Sequence, residues 1–330
     1  MNNFNEILAE FAGELKIIDK LIISNCENRS DLILLLTQNL VNSGGKRIRP
    51  LLLLICAKLC GSKNDEKQYY MASAVEMIHS ATLLHDDVID NSEVRRGKKT
   101  ANAIWDNKAA ILVGDFLFSL SFQLMVKSEN LKILDLLSTT SSIIADGEIL
   151  QLQNSTNINL SDQQYFDIIF GKTAVLFSAC CEVGALLNNC DDNTILSLRN
   201  FGKNLGMIFQ IIDDILDYNS KSDVLGKEIG NDFFEGKVTL PIIKTYQKAN
   251  EEERNLLAKI FAENFQQSQK NYDNLMIVQE LMKKYRAIEE CKSIVENFAK
   301  NSVNDIAIFA NNKFQKYLLT LINYSIERLK

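Results

Sequence analysis

Two short runs of carboxylates stand out in this chain. They are Asp86, Asp87 and Asp90 in LLHDDVIDN (83–91), and Asp213, Asp214 and Asp217 in QIIDDILDY (210–218). Each closes an apolar stretch with the pattern Asp-Asp-x-x-Asp. On an α-helix, residues i and i+4 lie about 40° apart around the axis, so Asp86 and Asp90 share a face, as do Asp213 and Asp217. Asp87 and Asp214 sit about 100° round from the first member. Carboxylates near a helix C-terminus meet the negative end of the macrodipole and repel one another, so the cluster calls for a cation. Mg²⁺ suits it: this ion takes oxygen ligands at about 2.0–2.1 Å, usually one or two carboxylates completed by waters and substrate phosphates. The plain alternative, a pair of acidic surface patches, accounts for one copy better than for two.

Basic residues complete the set. Lys46, Arg47 and Arg49 lie in GGKRIRP (44–50), and Arg95 and Arg96 in RRGKK (95–99) follow the first aspartates. Lys172, Lys227 and Lys237 each follow a glycine, where backbone can approach an anion closely. Singly, each lysine is an ordinary surface cation. Together with the aspartates they compose a site for a diphosphate carried with Mg²⁺, Arg pairing bidentately with phosphate and Lys acting as a point charge. The two histidines, His79 and His85, are six apart and on different faces, which excludes a two-His metal pair. His79 reads equally as a phosphate contact and as a core histidine, and His85 stands beside Asp86 as a supporting partner.

Helices must position these residues. Only 2 Pro and 14 Gly interrupt 330 residues, and long stretches carry a 3.6-residue apolar period, with no sustained alternation of the strand type. Breaks fall at 42–50, 60–68, 90–102, 154–164, 188–193 and 220–237. Helices are predicted near 51–60, 68–90, 106–127, 131–153, 161–188, 193–218 and 238–249, with more through to 330 packing behind solvated faces. No linker or low-complexity tract divides the chain, so residues 1–330 read as one all-α domain. The echo between the two aspartate segments fits an old duplication but does not establish one.

Composition narrows the class. The net charge of −6 and pI near 5.2 argue against nucleic acid as a partner. Seven cysteines lack metal-ligand spacing and sit in apolar contexts, as buried free thiols do in a reducing cytoplasm. The N-terminus shows no signal-peptide pattern, and no run of about twenty uncharged apolar residues is present.

In order and spacing, GGKRIRP (44–50), HSATLLHDD (79–87), DDVID…RRG (86–97), GKTAVLF (171–177), FQIIDDILDY (209–218) and LGKEIGNDFFEGKVTLP (225–241) resemble the trans-isoprenyl diphosphate synthases, most of all the bacterial octaprenyl-type branch. The resemblance implies a helical bundle around a central cavity, a homodimer and Mg²⁺ dependence. It implies that Lys46, Arg49, His79 and Arg96 bind isopentenyl diphosphate. Arg95, Lys172, Thr173, Gln210, Lys227 and Lys237 would hold the allylic diphosphate. Asp86, Asp90 and Asp213 would coordinate the metal, supported by Asp87, Asp214 and Asp217. Glu228 departs from the Pro that many long-chain relatives carry after the GK.

The implied reaction is successive head-to-tail condensation from farnesyl diphosphate to a long all-trans chain, octaprenyl in length, for quinone side chains. Action would be cytoplasmic, with peripheral membrane contact for product release. Ionisation of the allylic C–O bond gives a carbocation, and the departing diphosphate serves as base, consistent with the lack of a Ser-His-Asp or Cys-His set. The Thr173 carbonyl, the Gln210 amide and the Phe209 ring are candidates to face the cation, the ring reading equally as core. Product length would be set along the helix carrying Asp86. Ala81 and Ala74 leave the wall open, and Phe118, Phe122 and Met125 form a stripe that reads equally as a cavity floor or plain core. Other product lengths, from geranylgeranyl to decaprenyl, remain open. A terpene cyclase, an inactive synthase subunit and a purely structural helical protein fit the two basic pairs and two intact aspartate sets less well.

Overall fold

The structure is a computed structural model describing residues 3–63, 65–95, 97–219, 229–266 and 270–329. The chain is all-α, as the periodicity predicts. The helices are α1 (Phe4–Ser24), α2 (Asp31–Asn42), α3 (Ile48–Leu59), α4 (Glu66–Ile89), α5 (Ala101–Ile104), α6 (Asn107–Val126), α7 (Leu131–Gln153), α8 (Asp162–Ile169) and α9 (Val175–Leu186). There follow α10 (Asp192–Asn219), α11 (Asn231–Phe234), α12 (Leu240–Lys248), α13 (Glu251–Gln266), α14 (Tyr272–Tyr285), α15 (Ala287–Asp305) and α16 (Lys313–Glu327).

The structure departs from the sequence reading at three places. The predicted 51–60 helix begins at Ile48, because Pro50 falls in the first turn, where backbone N–H groups have no intrahelical acceptor. The charged break at 90–102 holds a short antiparallel ribbon, β1 (Val94–Arg95) on β2 (Lys98–Lys99), turned at Gly97 with φ +74. The predicted 161–188 helix is α8 and α9 joined by a π-helical turn, Phe170–Ala174.

The described residues form two compact units. The first comprises residues 1–142, 176–202 and 303–321. Its centre is α4, packed on α6, α3 and α1. The run Met71–Ile78 is buried all round the helix, which is why α4 lacks a clear polar face. Leu51–Ile55 of α3 are fully buried, each contributing on the order of 1.5–3 kcal/mol. That sum outweighs the roughly 1–3 kcal/mol of placing Arg47, the residue before α3, in the left-handed region at φ 46. The second unit comprises residues 143–175, 203–302 and 322–330. Phe233, Phe261, Leu257 and Val278 are among its fully buried side chains.

All seven cysteines are free; Cys26, Cys56, Cys180, Cys181 and Cys291 are buried as expected, whereas Cys60 and Cys190 are only half-buried. Among the described residues, two segments, Asn107–Val126 and Asp162–Leu186, have the length and apolar content of a membrane span; the second is 89% buried within the protein, as core helices are.

Candidate active site

In the first unit, α4 ends at the first aspartate run. Asp90 caps the helix, its N–H donating to the Asp86 carbonyl (2.8 Å). Asp86 and Asp90 are half-buried, whereas Asp87 is 5% exposed. Arg95 Nε donates to Asp87 Oδ1 at 2.8 Å, and Asn102 donates to the Asp87 carbonyl. Burial pushes the Asp87 carboxyl up from its usual range, against the pull of the Arg95 guanidinium. The ribbon β1–β2 presents Arg95 to this aspartate. The 100° rotation read from sequence thus separates two solvent-reaching carboxylates from one turned inward.

The GGKRIRP loop divides its cations. Lys46 is exposed, and Arg49 lies with its guanidinium 4.8 Å from the Phe177 ring centroid. Arg47 turns inward, donating to Glu76 Oε1 (2.7 Å), Asp19 Oδ1 (3.1 Å) and the Val41 carbonyl (3.0 Å). Glu76 is buried, and burial raises its pKa against the opposing pull of Arg47 and Arg49. Arg47 is therefore a bolt for the loop, which the sequence had grouped with the other cations. His79 is half-buried on α4. His85 is engaged with α6, its Nε2 3.2 Å from the Ile111 carbonyl and 3.4 Å from Asp115, rather than serving Asp86.

In the second unit, Asp213 has a side chain 40% exposed, whereas Asp214 is 3% exposed. A chain of hydrogen bonds ties Asp214 to the π turn. Thr173 Oγ1 donates to Gln210 Oε1 (2.7 Å), Gln210 Nε2 donates to Asp214 Oδ1 (2.8 Å), and the Tyr165 hydroxyl donates to Asp214 Oδ2 (2.6 Å). Burial and the neighbouring Asp232 push the Asp214 pKa up to about 8, opposed by these two donors. Asp217 accepts from the backbone N–H groups of Asn231 and Asp232, both at 3.1 Å, and so anchors the start of α11.

At the π turn two backbones nearly touch. A Cβ on Gly147 would lie 2.6 Å from the Lys172 nitrogen and 2.8 Å from the Gly171 carbonyl carbon. This approach sets Lys172, which pairs with Glu148 at 3.1 Å, and Thr173. Lys237 pairs with Glu235 at 2.6 Å. A cleft of about 70 Å³ in this unit is lined by Lys172, Gln210, Asp214, Asp232 and Lys237, among others, so four residues singled out in the sequence border one space.

Arg96, Lys227 and Glu228 lie outside the described residues. Ala74, Ala81 and Met125 are fully buried, and the Phe118 and Phe122 rings meet edge to face at 5.5 Å. Tyr165, Asp232, Glu148 and Arg328 were missed in the sequence. Asp232 lay inside a quoted motif, whereas Arg328 sits in the tail with no local signal. Among the described residues no three His, Cys, Asp or Glu side chains converge as a metal cage. Mg²⁺ does not require one, since one or two carboxylates and substrate phosphates suffice. The half-buried, helix-paired Asp86 and Asp90 are a donor set of that kind.

A family profile described as polyprenyl synthetase matches residues 30–278. The chain is 36% identical to an all-trans-nonaprenyl-diphosphate synthase (geranyl-diphosphate specific) of Rhodobacter capsulatus, over 98% of both chains. It is 33% identical to the octaprenyl diphosphate synthase of Escherichia coli, over 99% of both. A crystal structure of a polyprenyl synthase from Caulobacter crescentus, complexed with calcium and isoprenyl diphosphate, superposes with a TM-score of 0.92 at 35% identity, covering 98% of this chain and 97% of that one.

Proposed function

The chain belongs to the polyprenyl synthetase family, and from that premise we propose that it builds an octaprenyl diphosphate by adding isopentenyl diphosphate repeatedly to farnesyl diphosphate. It is a trans-prenyltransferase acting on isoprenoid diphosphates with a divalent metal, which we take to be Mg²⁺. The observation that carries the site assignment is the shared design of the two aspartate runs: a solvent-reaching first carboxylate beside a buried, tethered second one.

Asp86, Asp90 and Asp213 are assigned to the metal. When bound, the metal supplies positive charge to the departing diphosphate. Asp87 and Asp214 hold their neighbours in place through Arg95, Tyr165 and Gln210. Lys172, Lys237 and Arg95 are assigned to the allylic diphosphate, to which they offer charge-assisted hydrogen bonds, while Lys46, Arg49 and His79 are assigned to isopentenyl diphosphate. Arg96 and Lys227 keep the corresponding roles given by their motifs. The Gln210 amide, fixed between Thr173 and Asp214, is assigned to face the allylic cation with its dipole. Burial keeps water from the allylic cation.

We assign the product to quinone side chains and the action to the cytoplasm. A homodimer is supported by the outward apolar residues Ile111 (41% exposed) and Leu112 (67%) on α6. The geranyl-diphosphate specificity of the Rhodobacter relative favours geranyl diphosphate as a second primer. The test is product sizing after incubation with Mg²⁺, labelled isopentenyl diphosphate and either primer. C40 product from farnesyl diphosphate supports the reading, a C45 or C50 limit corrects the length, and no elongation from either primer rejects it.

A further inference from the structure

One cation of the second unit has no role in the assignments above. Arg328 follows α16 in the C-terminal turn, and its Nη2 donates to Asp213 Oδ1 at 2.5 Å. The guanidinium also lies 5.0 Å from the Phe209 ring centroid, on a face considered in the sequence for a reacting cation. Its other fork nitrogen, Nη1, is buried and has no hydrogen-bond partner among the described residues. The side chain is 20% exposed, against 40% for Asp213. Ile322 and Ser325 are buried, so the end of α16 is packed in place and the side chain is held at the aspartate by more than its own charge.

A guanidinium and a divalent cation compete for the same lone pairs on a carboxylate oxygen. Arg328 uses one arm of its fork where a bidentate pair would use both, so the contact is well short of the strongest that Arg can make. It is also partly solvated, which lowers its worth further. We propose that Arg328 is a resident counter-ion of Asp213: it neutralises that carboxylate before metal arrives, competes with the metal for it, and is displaced when the metal binds. The inference rests on the reading of Asp213 as a metal ligand. The released guanidinium, with two arms open, is then a donor for an anionic oxygen entering with the metal. Arg328 is a positioning residue under this scheme, setting how tightly the site takes metal before substrate.

The test is direct Mn²⁺ binding to the full chain without diphosphate, read from the free-Mn²⁺ electron paramagnetic resonance signal. Arg328→Met keeps the stem over Phe209 and removes the charge; it is expected to tighten Mn²⁺ binding about three- to tenfold, the size of a partly buried ion pair. Arg328→Lys, which keeps the charge, is expected to stay near wild type. Lys259→Met, which removes an exposed charge on α13, controls for net charge and is expected to change nothing. Arg328→Gln replaces the Met variant if circular dichroism shows that variant unfolded. Unchanged or weaker Mn²⁺ binding in the uncharged variant overturns the inference, as does equal tightening in Lys259→Met. Asp213→Ala separates the two readings: if it weakens Mn²⁺ binding while Arg328→Met does not tighten it, the counter-ion alone is wrong. If Asp213→Ala leaves Mn²⁺ binding unchanged, the metal assignment of Asp213 fails, and the counter-ion with it.

Discussion

Replacing Glu76 by leucine should damage the protein twice, and the two effects can be separated. The Glu76 and Arg47 side chains are 6% and 12% exposed and meet at 2.7 Å. Removing one partner of a buried pair leaves the other charge uncompensated, at about 3–5 kcal/mol. Arg47 retains Asp19, which is 34% exposed, and the Val41 carbonyl, so the lower end applies, about 3 kcal/mol. For a chain of this size that is a fall in Tm of roughly 5 °C. The same contacts hold Arg47 in the left-handed region between Lys46 and Arg49. Once released, the loop loses its fixed geometry, and the KM for isopentenyl diphosphate should rise with less change in kcat. The double variant Arg47→Met/Glu76→Leu removes both charges and should recover most of the stability while the KM stays high. A single Glu76→Leu variant within 1 kcal/mol of wild type, with its KM unchanged, would refute the view that this pair fixes the loop.

Three further outcomes can be checked; the split between Lys237 and Arg96 rests on motif position alone. Gly147→Ala places a Cβ against the backbone of Gly171 and Lys172; it should cost about 1–3 kcal/mol and raise the KM for the allylic substrate, measured by thermal melts and steady-state kinetics. Lys237→Ala should raise the KM for the allylic substrate ten- to hundredfold, about 1.5–3 kcal/mol for one charge-assisted contact, and Arg96→Ala that for isopentenyl diphosphate; equal effects on both substrates in both variants would reject this division. Ala81→Phe should shorten the product towards C20 or below and Phe122→Ala or Met125→Ala should lengthen it, as read by chromatography of the dephosphorylated chains; an unchanged length at normal rate in Ala81→Phe removes the tunnel from that wall.

The helices were legible because few prolines and glycines interrupt their period; residues 131–153 match α7 end to end. The π turn was not, because a single glycine within a helical period does not mark a change of helix type, and the close approach of Gly147 comes from another helix. The β1–β2 ribbon is too short and too exposed to leave an alternating pattern. Within each aspartate run, the helical angle separated the open first residue from the buried second. Spacing gave no means of knowing that Arg47 turns inward, since that depends on Glu76, 29 positions away. Arg328 was harder still: its partner Asp213 is 115 positions upstream, and an arginine near a chain end has no signature of its own.

The central claim is that the two aspartate runs carry the metal-dependent ionisation. Its most direct test is the rate of labelled isopentenyl diphosphate incorporation by Asp86→Ala and Asp213→Ala across a Mg²⁺ titration, with circular dichroism confirming the fold. The account predicts a loss of about 10²- to 10³-fold or more in each variant that saturating Mg²⁺ does not restore. Near-wild-type turnover at saturating Mg²⁺ in either variant would contradict it.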